Sequence, residues 1–371
     1  MKNELEILIE KFLRHELTSS EADHLEMLLN DPKNMDSFRE QLQIHFTLTQ
    51  QRKFHVRSNG YPINQSIKKK KYFNWKSTIK YAAVFIVILG VMSLFWNRMY
   101  ITEKQNNAKV VYIETEDGKK EVLEINEEKK ILNKEGQLIA TKSGNLITYK
   151  ADPKARELVY NTLNVPNGTI FKIVLSDGSR VELNAGSQLK YPVNFIHGKD
   201  RRVFIKGEAF FDISSDSLHP FIVNTEDFNV TVLGTKFNIS AYDNLKTSST
   251  VLLEGSVSIE NHVEKKKLIP GEMASVANSI SSFDVREVDS RRYTAWRKGI
   301  TIFQNENFGY IMKTLERKYN VQFVNNYSAL EKEIFTATIV EEDIEEVLTL
   351  FSKSRPFKYK IDERKITIYK K

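Results

Sequence analysis

The chain carries seven histidines, His15, His24, His45, His55, His197, His219 and His262, and no cysteine. Without a thiol there is no disulfide, no Cys-x-x-Cys redox pair and no thiolate zinc site. The histidines are scattered, and none stands in the H-E-x-x-H spacing that sets two imidazoles and a general base on one helix face. No G-x-S-x-G elbow, P-loop or G-x-G-x-x-G turn occurs. Serines and aspartates are plentiful, but outside such motifs they serve turns and helix caps. One acid stands out: Glu208, in KGEAFF, sits in a strongly apolar strand context. A carboxylate there is either a catalytic acid or, far more often, a group bonded to backbone or paired with Arg201 or Arg202. The second reading is adopted, and the chain is expected to be a non-enzyme without metal or cofactor.

With no reaction to position, the elements must be arranged for something other than catalysis. A length of 371 residues predicts two or three domains. The net charge of +7 is concentrated in one place. Residues 1–50 hold five basic against ten acidic side chains, whereas residues 51–80 hold nine basic and no acidic ones. The basic segment, which includes Lys68, Lys69, Lys70 and Lys71, ends at the uncharged run from Tyr81 to Trp96. That run, extended through Ile79 and Lys80, approaches the roughly 17–25 residues that cross a bilayer as a helix. Trp75, Tyr81, Trp96 and Tyr100 stand where interfacial aromatics belong, and the lysines before the run place the N-terminus in the cytoplasm. A buried core helix is the soluble alternative, but a core helix seldom follows four lysines. A signal peptide would have to begin about 75 residues into the chain and has no small-residue cleavage site after it.

Before the span, three short amphipathic helices are expected to form a small bundle. Leu5, Leu8, Ile9, Phe12 and Leu13 make one apolar stripe. Thr18 and Glu21 form a capping box for a second helix carrying Ala22, Leu25, Leu28 and Leu29. Asp31-Pro32 opens a third, with Met35, Phe38, Leu42 and Phe46 on its core side. Beyond the span the period changes. From about Tyr100 to Val285, short runs rich in Val, Ile and Phe alternate with Asp-Gly, Asn-Gly and similar turn signals, which predicts an all-β region. Ile113-x3-Asp117-Gly118-x4-Leu123 is echoed by Ile173-x3-Asp177-Gly178-x4-Leu183, a spacing that leans toward stacked, solenoid-like strands. After Trp296 strands and helices alternate twice, predicting an α/β domain with a repeated βαβ arrangement.

The β region also carries an ordered phrase set: VPNGTIFKIVLSDGSRVELNAGSQLKYPVNF (165–195), RRVFIKGEAFFDI (201–213), HPFIV (219–223), VTVLGTKFNISAY (230–242), VLLEGSVSI (251–259) and LIPGEMA (268–274). In order and spacing this set resembles the FecR family of sigma-factor regulators. WRKGITIF (296–303) and the βαβ-repeat region after it resemble the C-terminal module of many members, itself similar to the secretin and TonB short N-terminal domain. The N-terminal bundle is similar to the family's anti-sigma domain in size, position and helix order, but has no Trp before Trp75, where relatives commonly carry tryptophans.

The resemblance implies six segments: a cytoplasmic helical anti-sigma domain over 1–57, a basic linker over 58–78, a transmembrane helix over 79–97, a periplasmic β-rich segment over 98–158, a FecR-like all-β domain over 159–290 and a C-terminal βαβ-repeat module over 296–371. It implies an extracytoplasmic-function sigma factor bound through residues 1–78, with Leu25, Leu28, Leu29, Phe38 and Leu42 as contact candidates. It further implies that the periplasmic extension of an outer-membrane TonB-dependent transducer docks on residues 297–371, and that nucleic acid is not bound directly. The acidic N-terminal fifty residues suit a basic sigma surface. The chain is thus expected to be a single-pass inner-membrane protein that relays a signal inward. A membrane-tethered periplasmic glycan- or peptidoglycan-binding scaffold is the alternative. Some members cut themselves at the bond matching Gly234-Thr235, the Thr hydroxyl attacking the preceding carbonyl. The competing reading, adopted here, makes Gly234 a bulge residue and Thr235 an ordinary strand residue.

Overall fold

The computed structural model describes residues 8, 11, 18–28, 110–124, 127–133, 136–340 and 342–371. Two compact units are separable, 1–96 and 97–371. In the first unit, helix α1 (Ser19–Leu28) is opened by the expected capping box. The Thr18 hydroxyl accepts from the Glu21 amide at 3.4 Å, and the Glu21 carboxylate accepts from the Thr18 amide at 3.0 Å. Glu21 also accepts from the Lys11 ammonium. These bonds hold its carboxyl at about 2, the Lys11 bond contributing most.

The second unit is β-sheet for most of its length, and it is organised around one strand that serves two sheets. The first sheet runs β2 (Lys120–Leu123), β1 (Val111–Glu114), β6 (Tyr160–Asn164), β9 (Gln188–Pro192), the first half of β10 (Arg201–Asp212), β11 (Phe221–Asn224), β12 (Asn229–Val232), β15 (Val257–Glu260) and β16 (Lys265–Leu268). The second runs β3 (Lys129–Leu132), β4 (Leu138–Ser143), β5 (Leu146–Tyr149), β7 (Phe171–Val174), β8 (Arg180–Leu183), the second half of β10, β13 (Lys236–Ala241), β14 (Ser248–Glu254), β17 (Glu272–Val276) and β18 (Asp284–Glu287). From β11 onward, successive hairpins alternate between the sheets: β11–β12 in the first, β13–β14 in the second, β15–β16 in the first, β17–β18 in the second. Inward side chains alternate with outward ones along each strand, and those of both sheets join one apolar core that includes Ile113, Leu163, Phe211, Phe237 and Ile259.

β10 changes sheets between Lys206, which pairs with Gln188, and Gly207, which pairs with Ala241. Gly207 has φ +95°, and a Cβ there would lie 2.7 Å from the Ser187 Cα. Only glycine permits both the left-handed turn and the close approach of β9.

The sequence echo is structural. β1–β2 and β7–β8 are hairpins with matching loops, in which Gly118 donates to the Thr115 carbonyl at 2.8 Å and Gly178 to the Leu175 carbonyl at 2.9 Å. In each loop the glycine takes positive φ, whereas the aspartate does not. This is a type I turn closed by a glycine bulge rather than the two-residue turn in which both positions are left-handed.

The C-terminal part contains β19 (Thr301–Asn307), α2 (Phe308–Tyr319), β20 (Gln322–Asn325), β21 (Ile334–Ile339), α3 (Ile344–Ser354), β22 (Phe357–Asp362) and β23 (Lys365–Lys370). Both helices are capped by the residues before them, Asn307 and Asp343, the latter in a full capping box with Glu346. The expected βαβ repeat is corrected. β19 pairs antiparallel with β21, while β20 and β22 flank β23 in a separate sheet, so each helix joins a strand of one sheet to a strand of the other. Phe303, Phe308, Phe335 and Phe351 centre a second core, distinct from that of the β domain.

The expected fold class is corrected as a whole. A helical bundle and a transmembrane helix were to accompany the β domain, but β-sheet predominates, and no helix among the described residues is long and apolar enough to cross a membrane. The run 79–97 and the first and third helices of the bundle lie outside the described residues apart from Leu8 and Lys11.

Candidate functional site

The two cores of the second unit do not merge; between them lies a polar seam. Its centre is Glu208, on the second half of β10. One carboxylate oxygen accepts from the Asn184 amide at 2.8 Å and the other from the Asn238 amide at 3.0 Å. Burial pushes the Glu208 carboxyl above the ordinary carboxylate range, against the lowering effect of both amides and the Arg317 charge.

The sequence reading gives Glu208 either backbone hydrogen bonds or Arg201 or Arg202 as partner, whereas its carboxylate is held by the Asn184 and Asn238 side chains. Arg201 lies seven positions from Glu208, and a strand of period two sends such residues to opposite faces. Arg202 shares the face but belongs to the half of β10 in the other sheet. Arg201 instead binds Asp177 at 2.7 Å and the His219 carbonyl at 3.0 Å, tying the Asp177-Gly178 hairpin to the loop before β11.

The connection into the C-terminal module closes over Glu208. It consists of two 3₁₀ turns, Ser290–Tyr293 and Ala295–Lys298, ended by Gly299 in the left-handed conformation. Trp296 donates its indole N–H to the Asn238 side-chain oxygen at 3.3 Å, so that Asn238 bridges Trp296 and Glu208. The Arg297 guanidinium lies 3.7 Å from the Phe210 ring centroid and bonds Glu182. Its Nε is buried without a hydrogen-bond partner.

Within the module, Arg317 near the end of α2 lies 3.9 Å over the Tyr242 ring, donates to Asn244 at 3.2 Å, and offers its carbonyl to the Gly168 amide at 2.7 Å. Tyr242 donates to the Ala185 carbonyl at 2.8 Å. An open groove of about 850 Å³ runs beside this contact, lined by residues of both charges, among them Lys206, Asp243, Glu316, Arg317 and Arg364.

Of these residues only Glu208 was singled out by sequence. Trp296, one of three tryptophans, marked the boundary, and its rarity was the available signal. Nothing local marked Asn184 or Asn238, because their partners lie 24 and 30 residues away.

The Gly234-Thr235 bond runs from a half-buried glycine to a buried threonine, with Leu233 before it exposed. Leu233 and Thr235 carbonyls accept from the amides of Asp216 at 2.7 Å and Ile213 at 3.1 Å. The Thr235 hydroxyl donates to the Ser256 carbonyl at 3.0 Å. Gly255, at φ +90°, passes so near that a Cβ there would lie 2.9 Å from both the Gly234 oxygen and the Thr235 Oγ1. Among the described residues no titratable side chain bonds this hydroxyl. Gly234 is not the bulge: the β13–β14 register shifts between Lys236 and Phe237, which pair with Glu254 and Leu252 and leave Leu253 of β14 unpaired.

Leu25 and Leu28 are on α1, while Leu29, Phe38 and Leu42 lie outside the described residues. His219 bonds Asp216 at 2.7 Å and its ring lies 5.3 Å from that of His197. No group of His, Asp or Glu among the described residues is arranged to hold a metal ion.

Comparison with known proteins supplies the family. Residues 161–258 match the family described as FecR protein, and residues 300–368 match that described as FecR, C-terminal. No curated protein matches the chain. Two crystal structures of a candidate anti-sigma factor from Parabacteroides distasonis ATCC 8503, at 1.65 and 2.50 Å resolution, are similar to it. They share 30% and 29% identity, each with a TM-score of 0.54, over 57% of this chain and 99% of theirs. The FecR match ends within β15, the FecR C-terminal match begins just past the Trp296 seam, and the two together with the solved relative place the chain in the FecR family of anti-sigma factors.

Proposed function

We propose that the chain relays a signal at the cytoplasmic membrane, from the periplasmic extension of an outer-membrane TonB-dependent transducer, received by residues 297–371, to an extracytoplasmic-function sigma factor held by residues 1–78. The observation that carries this reading is the separateness of the two cores in the second unit. The C-terminal module keeps its own core around Phe308 and Phe351 and meets the β domain through hydrogen bonds and arginine–aromatic contacts. Polar contacts of this kind can be exchanged for others at small net cost, whereas a merged apolar core cannot.

The edge of β21 supports a receiver role. Among the described residues β21 pairs only with β19, and its sequence, IFTATI, has neither the lysine nor the proline that normally protects an edge. The opposite sheet ends in β22, FKYKID, which carries two lysines. Strand addition to β21 is therefore the favoured mode.

The test is a chain lacking residues 297–371, expressed with a reporter for the sigma factor's promoter. It is expected to reach the membrane fraction and to lose its response to inducer. A normal response from the truncated chain would remove the receiver role.

A further inference from the structure

Strand β13 is held from outside near its middle and just past its C-terminal end by the C-terminal part of the chain. Near its middle, Asn238 receives the Trp296 indole, and Phe210, its cross-strand partner on β10, lies under Arg297. Just past its end, Tyr242 lies under Arg317 and Asn244 accepts from it. β13 also directly follows the Gly234-Thr235 bond, and it is central in the second sheet, between β10 and β14.

A hydrogen-bonded carboxylate ties the inner side of this arrangement. Asn238 cannot leave Trp296 and keep its geometry without disturbing Glu208, whose other oxygen is fixed by Asn184 on the far side of β10. The outer side is less well satisfied, because Arg297 Nε is buried without a partner. An orphaned buried donor makes the closed seam easier to open than a fully bonded one.

We propose that the Glu208–Asn238–Trp296 cluster is a latch that couples the seating of the C-terminal module to the pairing of β13, so that lifting the module loosens β13 and the segment around Gly234-Thr235. A ligand that displaces the module thereby reaches the interior of the β domain without touching it. The latch is a two-position element, with the indole seated or withdrawn, and this is what lets a surface event bias a buried strand. Its biological direction rests on the receiver role of residues 297–371, but the mechanical coupling does not.

Hydrogen exchange on the full chain, read by mass spectrometry, tests it. Trp296→Phe keeps the ring and removes the N–H; Glu208→Gln keeps the shape and turns one acceptor into a donor facing an amide donor. Each is expected to speed exchange across β13 and across residues 300–319 together, by roughly tenfold. Faster exchange in residues 300–319 with β13 unchanged overturns the latch. Should Glu208→Gln fail to fold, Trp296→Phe carries the test alone, since it removes one hydrogen bond at the seam. The inducer response of the chain lacking residues 297–371 separates the two ideas. Coupled exchange with normal induction in the truncated chain keeps the latch and removes the receiver role. Uncoupled exchange with lost induction does the reverse.

Discussion

The Glu208 carboxylate is held between the Asn184 and Asn238 side-chain amides. Because burial raises its carboxyl, the folded chain holds that proton to higher pH than the unfolded chain does. A group of this kind contributes stability that is fully present below its ordinary value of 4.5 and is lost as pH rises through the raised value. Glu208→Gln is therefore expected to flatten the fall in thermal stability on going upward from pH 4.5, as read by unfolding curves across that window. An unchanged pH profile would mean that the carboxyl is not what titrates. Thr235 supports a different expectation. Its hydroxyl is committed to the Ser256 carbonyl, with no base bonded to it among the described residues. The purified protein should accordingly show only its intact mass, and Thr235→Ala should leave that mass pattern unchanged. Two fragments, 1–234 and 235–371, that disappear in Thr235→Ala and persist in Thr235→Ser would establish self-cleavage.

At the scale of elements, the strongest dependence is on the point where β10 passes from one sheet to the other. Gly207→Ala combines a left-handed backbone with a clash against Ser187 backbone. It is expected to cost about 3 kcal/mol, measured by denaturant unfolding of the full chain. A loss below about 1 kcal/mol would show that β9 can yield. What was legible in the sequence depends on how local each signal is. The hairpins β1–β2 and β7–β8 could be read because turn glycine, flanking alternation and the buried Ile113, Leu123, Ile173 and Leu183 all fall within eleven residues of one another. The α1 capping box could be read for the same reason. The assignment of strands to two sheets could not, because an inward-facing residue looks alike in either sheet. The C-terminal module misled for a related reason. Its strand and helix order fits βαβ, but order does not say which strands become neighbours, and β19 pairs with β21. Nor could the seam be read, since Trp296 and Asn238 are 58 residues apart and neither belongs to a motif.

For the whole molecule, family membership and a module seated by separable contacts argue for a regulator whose parts move relative to one another. The candidate contacts with the sigma factor are Leu25 and Leu28 on α1, together with Leu29, Phe38 and Leu42. The most direct measurement is purification of the full chain from its own cells, with quantification of the proteins that elute with it. One sigma factor is expected to co-purify with the wild-type chain in near-equal amount, and to be lost, by at least about tenfold, from the Leu25→Asp, Leu28→Asp double variant, because a carboxylate on an apolar contact face must be desolvated without a partner. A wild-type chain that brings down no sigma factor, or a double variant that brings it down undiminished, would contradict the account.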